Sequence, residues 1–421
     1  MTSILLGIAI LALALLGTPL FVIVSSVALI AFYAADIDIQ SVTIELYRLA
    51  ANPFMITIPL FTFAGFLMAE AGTARRLARL ARAGIGWLPG GLVLAVILSC
   101  SFFTTFSGAS GVTIIALGGL MLPLLKSEGY PDRFRFGLCT AAGSMGLLFP
   151  PSLPLLVYGM VANVEINKLF IAGLLPGVLT VLVLAIYGMY VARKTGVKST
   201  PMNAREFLAA LNETKWELFV PVIIIVGIFG GFVTVGEVSA ITAAYLLVVE
   251  VFVYKDLSIR KDMPRVINRS MTLVGAILVI LGCALGLTNY LVDAEIPMKI
   301  FALAQEYFTS KWSFLLALNL FLLIVGGFLD IFSAIIVVVP LIAPVAREVG
   351  IDPIHLATIF IANLQIGYLL PPAGIDLCVA SLAFNQPMTR MYRVAVPFVL
   401  VLLAALALIT YVPWFSLCLL D

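Results

Sequence analysis

Ten apolar stretches run along the chain, at 4–33, 52–72, 90–125, 134–162, 168–192, 217–253, 271–292, 313–346, 354–385 and 394–419. A helix needs about 20 apolar residues to cross a bilayer, so the pattern predicts an all-α integral membrane protein. Several stretches are too long for one plain span and are interrupted by glycine, proline or hydroxyl side chains. The polar intervals 193–215 and 254–269 carry five basic residues each, and the first divides the chain nearly in half.

The halves repeat one another. An offset of 221 residues places Pro123 on Pro344, Gly129 on Gly350, Gly146 on Gly367, Pro150 and Pro151 on Pro371 and Pro372, and Pro176 on Pro397. Glycine and proline matches at one fixed offset are not explained by apolar composition. Internal repeats of this kind mark secondary transporters, whose solute sites lie near the midplane in discontinuous helices. The first repeat is read as 1–200: scaffold helices within 1–50, a re-entrant hairpin at 52–72, broken helices over 90–162 and a span at 168–192. A polar connector, 201–215, leads to the second repeat, 216–421: scaffold helices within 217–270, a hairpin at about 279–305, broken helices over 313–385 and a span at 394–419. Five crossings per repeat force the second to enter from the opposite side, giving inverted topology. With the N-terminus outside, 17 basic residues face the cytoplasm and 7 do not. The run Arg75, Arg76, Arg79 and Arg82 falls outside and opposes the positive-inside bias, whereas Lys299 and Lys311 fall inside.

Composition agrees. Of the 421 residues 62% are hydrophobic and 11% charged, against about 25% charged in soluble domains, so lipid must solvate much of the surface. The net charge of +2 suggests no nucleic-acid partner. The five cysteines lie far apart and read as small apolar packers; His355 is the only histidine and cannot anchor a multi-histidine metal site. Residues 1–32 lack a basic leader and a clear cleavage site and read as a retained membrane segment. No GxxxxGK[ST] loop points to a primary pump.

Four polar breaks interrupt the apolar stretches. In the first, around Ser107, Gly108, Ser110 and Thr113, glycines and hydroxyls weaken the helix and free oxygens suited to a hard cation; a close contact of small residues is the alternative. The second runs from Gly143 to Pro150, Pro151 and Ser152. The prolines end one helix, and the next begins near Ser152 with its amide groups and positive dipole end free for an anion; Ser152 either caps that helix or touches a carboxylate. The third contains Asp330 and Ser333, and an ionisable group at that depth is a functional candidate or a capping aspartate. The fourth runs from Asn363 through Gly367, Pro371, Pro372 and Gly374 to Asp376, where Asp376 caps a helix or contacts substrate or ion. Thr234 and Glu237 between two short spans are either a cap or a functional pair. Asn52, Pro59, Thr288, Asn289, Asp293, Glu295 and Pro297 mark the expected hairpins.

IPLFTFAGFLMAEAG (58–72), WLPGGL (87–92), FSGAS (106–110), FPPSLPLLVYG (149–159), LFIAGLLPG (169–177) and LPPAG (370–374) occur together in this order. The ordered set resembles the large membrane subunit of TRAP transporters, the tripartite ATP-independent periplasmic type, over essentially the whole chain. The resemblance implies an elevator-type, Na⁺-coupled importer of organic acids (C4-dicarboxylate, sialic acid or sulfonate) in the ion transporter superfamily. It implies no cofactor beyond Na⁺ as coupling ion, placement in the bacterial inner membrane, a small four-helix membrane subunit and a periplasmic binding protein. Carried over by position, Ser107, Gly108, Ser110, Gly143, Asp330, Ser333 and Gly367 are the sodium candidates. Pro150, Pro151, Ser152, Asn363, Pro371, Pro372, Gly374 and Asp376 are the substrate candidates. The chain departs from the family at SGAS, which often carries a further serine there, and at Leu370, where threonine is common; both changes remove a hydroxyl. A single-component symporter of the same superfamily is an alternative. A rhomboid-like serine protease is a remote one, since GASG (108–111) fits GxSG, but it would need His355 beside Ser110.

Overall fold

The computed structural model describes residues 18, 20–34, 44, 47, 51, 53–197, 203–296, 298, 299, 302 and 310–420. Residues 4–17 of the first apolar stretch, Asn52, Pro297 and nearly all of 300–309 lie outside them. Among the described residues the chain is helical and has no strand. The first half holds α1 (Leu20–Ala34), α2 (Thr57–Glu70), α3 (Thr73–Ile85) and α4 (Gly91–Ser107). It continues with α5 (Ser110–Ser127), α6 (Asp132–Ala142), α7 (Leu153–Ala162) and α8 (Ile166–Thr195). The second half holds α9 (Ala204–Phe229), α10 (Val235–Val253), α11 (Met263–Asp293) and α12 (Lys311–Phe328). It ends with α13 (Ile331–Glu348), α14 (Pro353–Gly367), α15 (Ile375–Ala383), α16 (Met388–Tyr411) and the short α17 (Trp414–Leu417).

The 221-residue offset lays the starts of α4 to α8 on those of α12 to α16 within one residue. The backbone repeats too. Gly129 and Gly350 both take left-handed φ, 90° and 79°, and Pro150–Pro151 and Pro371–Pro372 are both cis.

The paths of the helices differ from the sequence expectation in one respect. Two 18-residue helices laid end to end would span about 54 Å. Yet Lys311 Nζ, at the start of α12, donates to Gly350 O, just past the end of α13, at 2.7 Å. The pair therefore folds back at 329–330. In the first half Arg82, before α4, lies 3.9 Å from Glu128, after α5, and Ala83 and Trp87 line one cavity with Leu120, Pro123 and Leu124 of α5. That pair folds back at 108–109. The stretches 90–125 and 313–346 are thus helical hairpins that fold back and not straight spans with a central break. The expected hairpin at 52–72 is instead a helix, α2, bent by 72° into α3. The one expected from 279 is, as far as Asp293, the outer part of an uninterrupted α11. Hydropathy registers the length of an apolar run but not whether a two-residue break turns the chain straight on or back.

Ion pairs sort the loops onto two faces. Arg79 bonds Glu206, at 2.7 Å, and Glu213 of α9; Arg269 bonds Glu70; Arg390 meets Asp132 at 3.4 Å. These join α3 to the connector end of α9, α11 to the end of α2, and α16 to the start of α6. On the far face Arg347 Nη2 donates to Ala162 O at 3.3 Å, beside the Lys311–Gly350 contact. The α4–α5 hairpin opens to the connector face and α12–α13 to the far face, so the repeats are inverted. The same contacts correct the sidedness of the basic residues: Arg75, Arg76, Arg79 and Arg82 lie on the connector face, and Lys311 on the far face.

Lipid-facing stripes follow helical spacing: Val178, Leu182, Ile186 and Tyr190 on α8, and Leu316, Leu320, Ile324 and Phe328 on α12, are all exposed. One buried charge cluster fastens α3 to α9 and α10. Arg76 donates to Glu217 at 2.8 Å, to Glu250 at 3.0 Å and to Asp256 at 2.5 Å, with Tyr254 stacked 3.8 Å from the guanidinium. Thr234 and Glu237 form a reciprocal cap on α10.

Candidate functional site

At the first hairpin tip Gly108 takes left-handed φ (62°), where glycine carries no Cβ penalty, and its N–H closes on Thr104 O at 2.8 Å. Ala109 is extended and α5 restarts at Ser110 without a side-chain cap. Thr104 Oγ1 donates to Gly143 O at 2.6 Å and accepts from Thr113 Oγ1 at 2.6 Å. Thr105 Oγ1 donates to Ser101 O at 2.7 Å and approaches Gly146 O at 3.3 Å. The tip is thereby sewn to the first proline-broken segment. Gly146 is glycine because a Cβ there would stand 2.5 Å from Thr105 N. Ser107 Oγ, buried, accepts from Ala109 N at 3.4 Å.

The second tip uses a carboxylate. Asp330 caps α13: Oδ2 accepts from Phe332 N and Ser333 N, both at 3.1 Å, and Oδ1 accepts from the Ser333 hydroxyl. The Tyr368 hydroxyl accepts from Ile331 N beside it. Gly327 O accepts from Ala373 N at 3.1 Å and Gly374 N at 3.2 Å, which ties this tip to the second proline-broken segment. A Cβ on Gly367 would lie 2.6 Å from Gly326 Cα, so the two backbones touch.

The two broken segments finish differently. Ser152 caps α7: its hydroxyl donates to Leu147 O and accepts from Leu155 N at 3.4 Å. Gly374 (φ 30°) offers α15 no side-chain cap. Asp376, in the first turn of α15, is fully buried, and neither carboxylate oxygen has a hydrogen-bond partner among the described residues. The hydroxyl side chains of Ser110 and Ser144 neighbour this carboxylate, and Tyr368 neighbours both Asp330 and Asp376. No ion pair to either aspartate occurs among the described residues. A first-turn carboxylate gains about 0.3–2 kcal/mol from the helix dipole, whereas an unpaired buried charge costs several kcal/mol. The dipole alone does not offset the burial of Asp376.

Of the sequence candidates, Ser107, Gly108, Ser110, Gly143 and Asp376 gather around the first tip, and Asp330, Ser333, Gly367, Pro371, Pro372 and Gly374 around the second. Pro150 and Pro151 lie largely covered, whereas Pro371 and Pro372 are exposed. Asn363 stands apart: its amide donates to Asn319 Oδ1 at 2.7 Å and Ile359 O at 2.8 Å, in a network with Thr410. His355 is held by Ser416 Oγ (3.0 Å) and Thr410 O (3.2 Å), with both ring nitrogens engaged, so it cannot serve Ser110 as a base. Thr104, Ser144 and Tyr368 were not singled out by sequence reasoning. Their only signal is a hydroxyl inside or beside a polar break.

Comparisons with known proteins agree with this architecture. The Alcanivorax borkumensis YdaH transporter shares the fold, with a TM-score of 0.65, 13% identity, and coverage of 90% of this chain and 89% of that one. The C4-dicarboxylate TRAP transporter large permease protein DctM of Pseudomonas aeruginosa is 36% identical over 91% of this chain and 90% of its own length. The isethionate TRAP transporter permease protein DctMQ of Oleidesulfovibrio alaskensis is 37% identical over 85% of this chain, which spans 57% of that longer protein. The sialic acid TRAP transporter large permease protein SiaM of Vibrio cholerae is 32% identical over 87% of this chain and 86% of its own length. The family described as the tripartite ATP-independent periplasmic transporter, DctM component, matches residues 4–415. With its paired hairpins, broken helices and matching relatives, the chain belongs to the DctM family of TRAP transporter large permeases, and is a transporter subunit and not an enzyme.

Proposed function

We propose that this subunit carries an organic anion inward across the bacterial inner membrane, driven by sodium, after a periplasmic binding protein delivers the substrate. The observation that carries the reading is the pair of carboxylates Asp330, at the second tip, and Asp376, at the start of α15, neither with a basic partner among the described residues. Two acidic groups at that depth favour cations. The cations then neutralise the site for an anionic solute, which the uncapped starts of α5 and α15 favour through their free amides. Sodium ligands are assigned to Ser107, Gly108, Ser110 and Gly143 at one tip and to Asp330, Ser333 and Gly367 at the other. Substrate is assigned to the exposed Pro371 and Pro372 with Gly374, while Pro150, Pro151 and Ser152 are largely covered. The related permeases named for C4-dicarboxylate, isethionate and sialic acid support an organic acid as cargo.

The concentration of arginine and lysine on the connector face supports a cytoplasmic side for it. The α3–α9–α10 cluster around Arg76 suits a fixed scaffold, against which the two hairpins and broken helices move as an elevator. A small four-helix subunit completes the scaffold. The test is reconstitution with both partner proteins in proteoliposomes and uptake of candidate acids under Na⁺, Li⁺, K⁺ or proton gradients. Uptake requiring inward Na⁺ is expected; equal uptake under the other gradients overturns the coupling.

A further inference from the structure

Where the start of α16 meets the start of α6, four arginines share one acid. Arg135 Nη2 stands 2.7 Å from Asp132 Oδ1, and Arg390 Nη2 stands 3.4 Å from Asp132 Oδ2. The Phe136 ring lies 5.3 Å from the guanidinium of Arg135 and 5.1 Å from that of Arg390. Arg135 is buried, and its Nε has no hydrogen-bond partner among the described residues. Arg133 and Arg393 make no ion pair among the described residues. Arg133, Arg390 and Arg393 line one cavity of about 340 Å³ with Thr389 and Val394, within the roughly 300–1,000 Å³ of ligand sites. A guanidinium does not shed its proton, so this surplus of positive charge calls for an anion.

The helix that carries Arg390 and Arg393 also says what kind of anion. Along α16 the exposed positions include Arg393, Val396, Leu400 and Ala404, steps of three and four that keep to one helix face. Arg393 thus heads an apolar stripe that faces lipid. From Arg393 to Ala404 the helix rises about 16 Å, close to half of an approximately 30 Å hydrocarbon core. The inverted copy lacks this arrangement. The 221-residue offset sets Ile354, Leu356, Leu169 and Ala172 opposite Arg133, Arg135, Arg390 and Arg393, and Lys168 beside them is paired with Glu165 at 3.1 Å. The fold therefore does not require the arginines, and only the connector face has them.

We propose that the cavity of Arg133, Arg390 and Arg393 binds the phosphate of an anionic phospholipid in the connector-side leaflet, with its acyl chains along Val396, Leu400 and Ala404. Basic pockets between membrane helices suit such headgroups. A soluble anion would match the arginines but not the stripe, and a zwitterionic lipid would leave the surplus charge standing. The bound lipid fastens α16 to α6 at headgroup level. The site needs only that α16 crosses the bilayer, and it is independent of sodium coupling.

The test uses the purified chain assembled with its small membrane subunit in a non-ionic detergent. Phosphatidylglycerol is titrated in, retained lipid is counted by native mass spectrometry, and the melting temperature is followed in parallel. Phosphatidylglycerol is expected to bind saturably and raise the melting temperature, with phosphatidylcholine at least about tenfold weaker. Arg133→Gln and Arg393→Gln should each weaken phosphatidylglycerol by about fivefold, and the double variant by about twenty-fivefold. Leu400→Asn should weaken it as well, and added salt should weaken it in the wild type. Equal binding of the two lipids, or unchanged binding in the double variant, overturns the site. An equal rise in melting temperature with inorganic phosphate makes it a site for soluble anions and overturns the lipid. Loss of the small subunit from the double variant makes it a protein interface and overturns the lipid too. If the double variant does not fold, Arg393→Gln and Arg393→Lys decide: weakening in the first with near wild-type binding in the second supports the site, and equal binding in both rejects it.

Discussion

The two proline-broken segments share length, register and a cis Pro–Pro bond, yet one is finished as structure and the other as chemistry. In 143–155 the helix after the prolines is capped by Ser152, its first turn carries Leu155, and the prolines are largely covered. In 364–376 the corresponding helix begins at Gly374 without a cap, its first turn carries Asp376, and the prolines are exposed. Duplication supplies the break twice, and a few side chains decide which copy holds charge. The hairpin tips divide the same way: Asp330 marks the second, while hydroxyls and Gly108 make the first.

The largest expected effect comes from making the second segment like the first. Asp376→Leu should abolish sodium-driven uptake, by more than about a hundredfold. The same change should raise the melting temperature of the purified chain in Na⁺-free buffer, since replacing a buried unpaired charge by a hydrocarbon stabilises by about 1–4 kcal/mol. Loss of uptake with a lowered melting temperature would instead make Asp376 a structural cap. Next in size is Gly367→Ala, whose Cβ would press 2.6 Å from Gly326 Cα. Overpacking of this kind costs about 1–3 kcal/mol, and thermal unfolding should report it; an unchanged melting temperature would show that the tip yields and that the close approach is not fixed.

A smaller effect follows from Ser152→Ala. The cap on α7 is lost at about 1 kcal/mol, and uptake should change less than its stability does. A selective loss of substrate affinity with normal stability would move Ser152 from cap to ligand. The least effect is expected from Tyr392→Phe, which removes a hydroxyl donating to Pro372 O at 2.6 Å on an exposed surface. Net loss should be at most about 1 kcal/mol by the same melt. A large fall in uptake would show that this contact positions the second proline pair.

Much of this plan was legible in the sequence, because glycine and proline leave marks that apolar composition cannot supply. Gly129, Gly146, Pro150 and Pro151 recur at one offset, and the breaks fall where they predict. The turning back at Gly108 and at Leu329–Asp330 was not legible. A reversed path and a straight one need the same apolar lengths, and only contacts such as Lys311 with Gly350 separate them. The positive-inside assignment suffered for the same reason, since Arg75 to Arg82 could not be placed until Glu206, Glu213 and Glu128 were seen beside them. Asp330 stood out as a charge in an apolar run. Its neighbour Tyr368 and the nearness of Asp376 to Ser110 and Ser144 did not, because 232 residues separate Asp376 from Ser144 and no local spacing records it.

Direct Na⁺ binding to the purified chain tests the claim on which the rest stands. Radioactive sodium equilibrated with wild type in a choline background should bind saturably, with fewer ions in Asp330→Asn or Asp376→Asn and none resolvable in the double variant. Failure of the wild type to bind sodium saturably, or an equal number of ions in the folded double variant, would contradict the account.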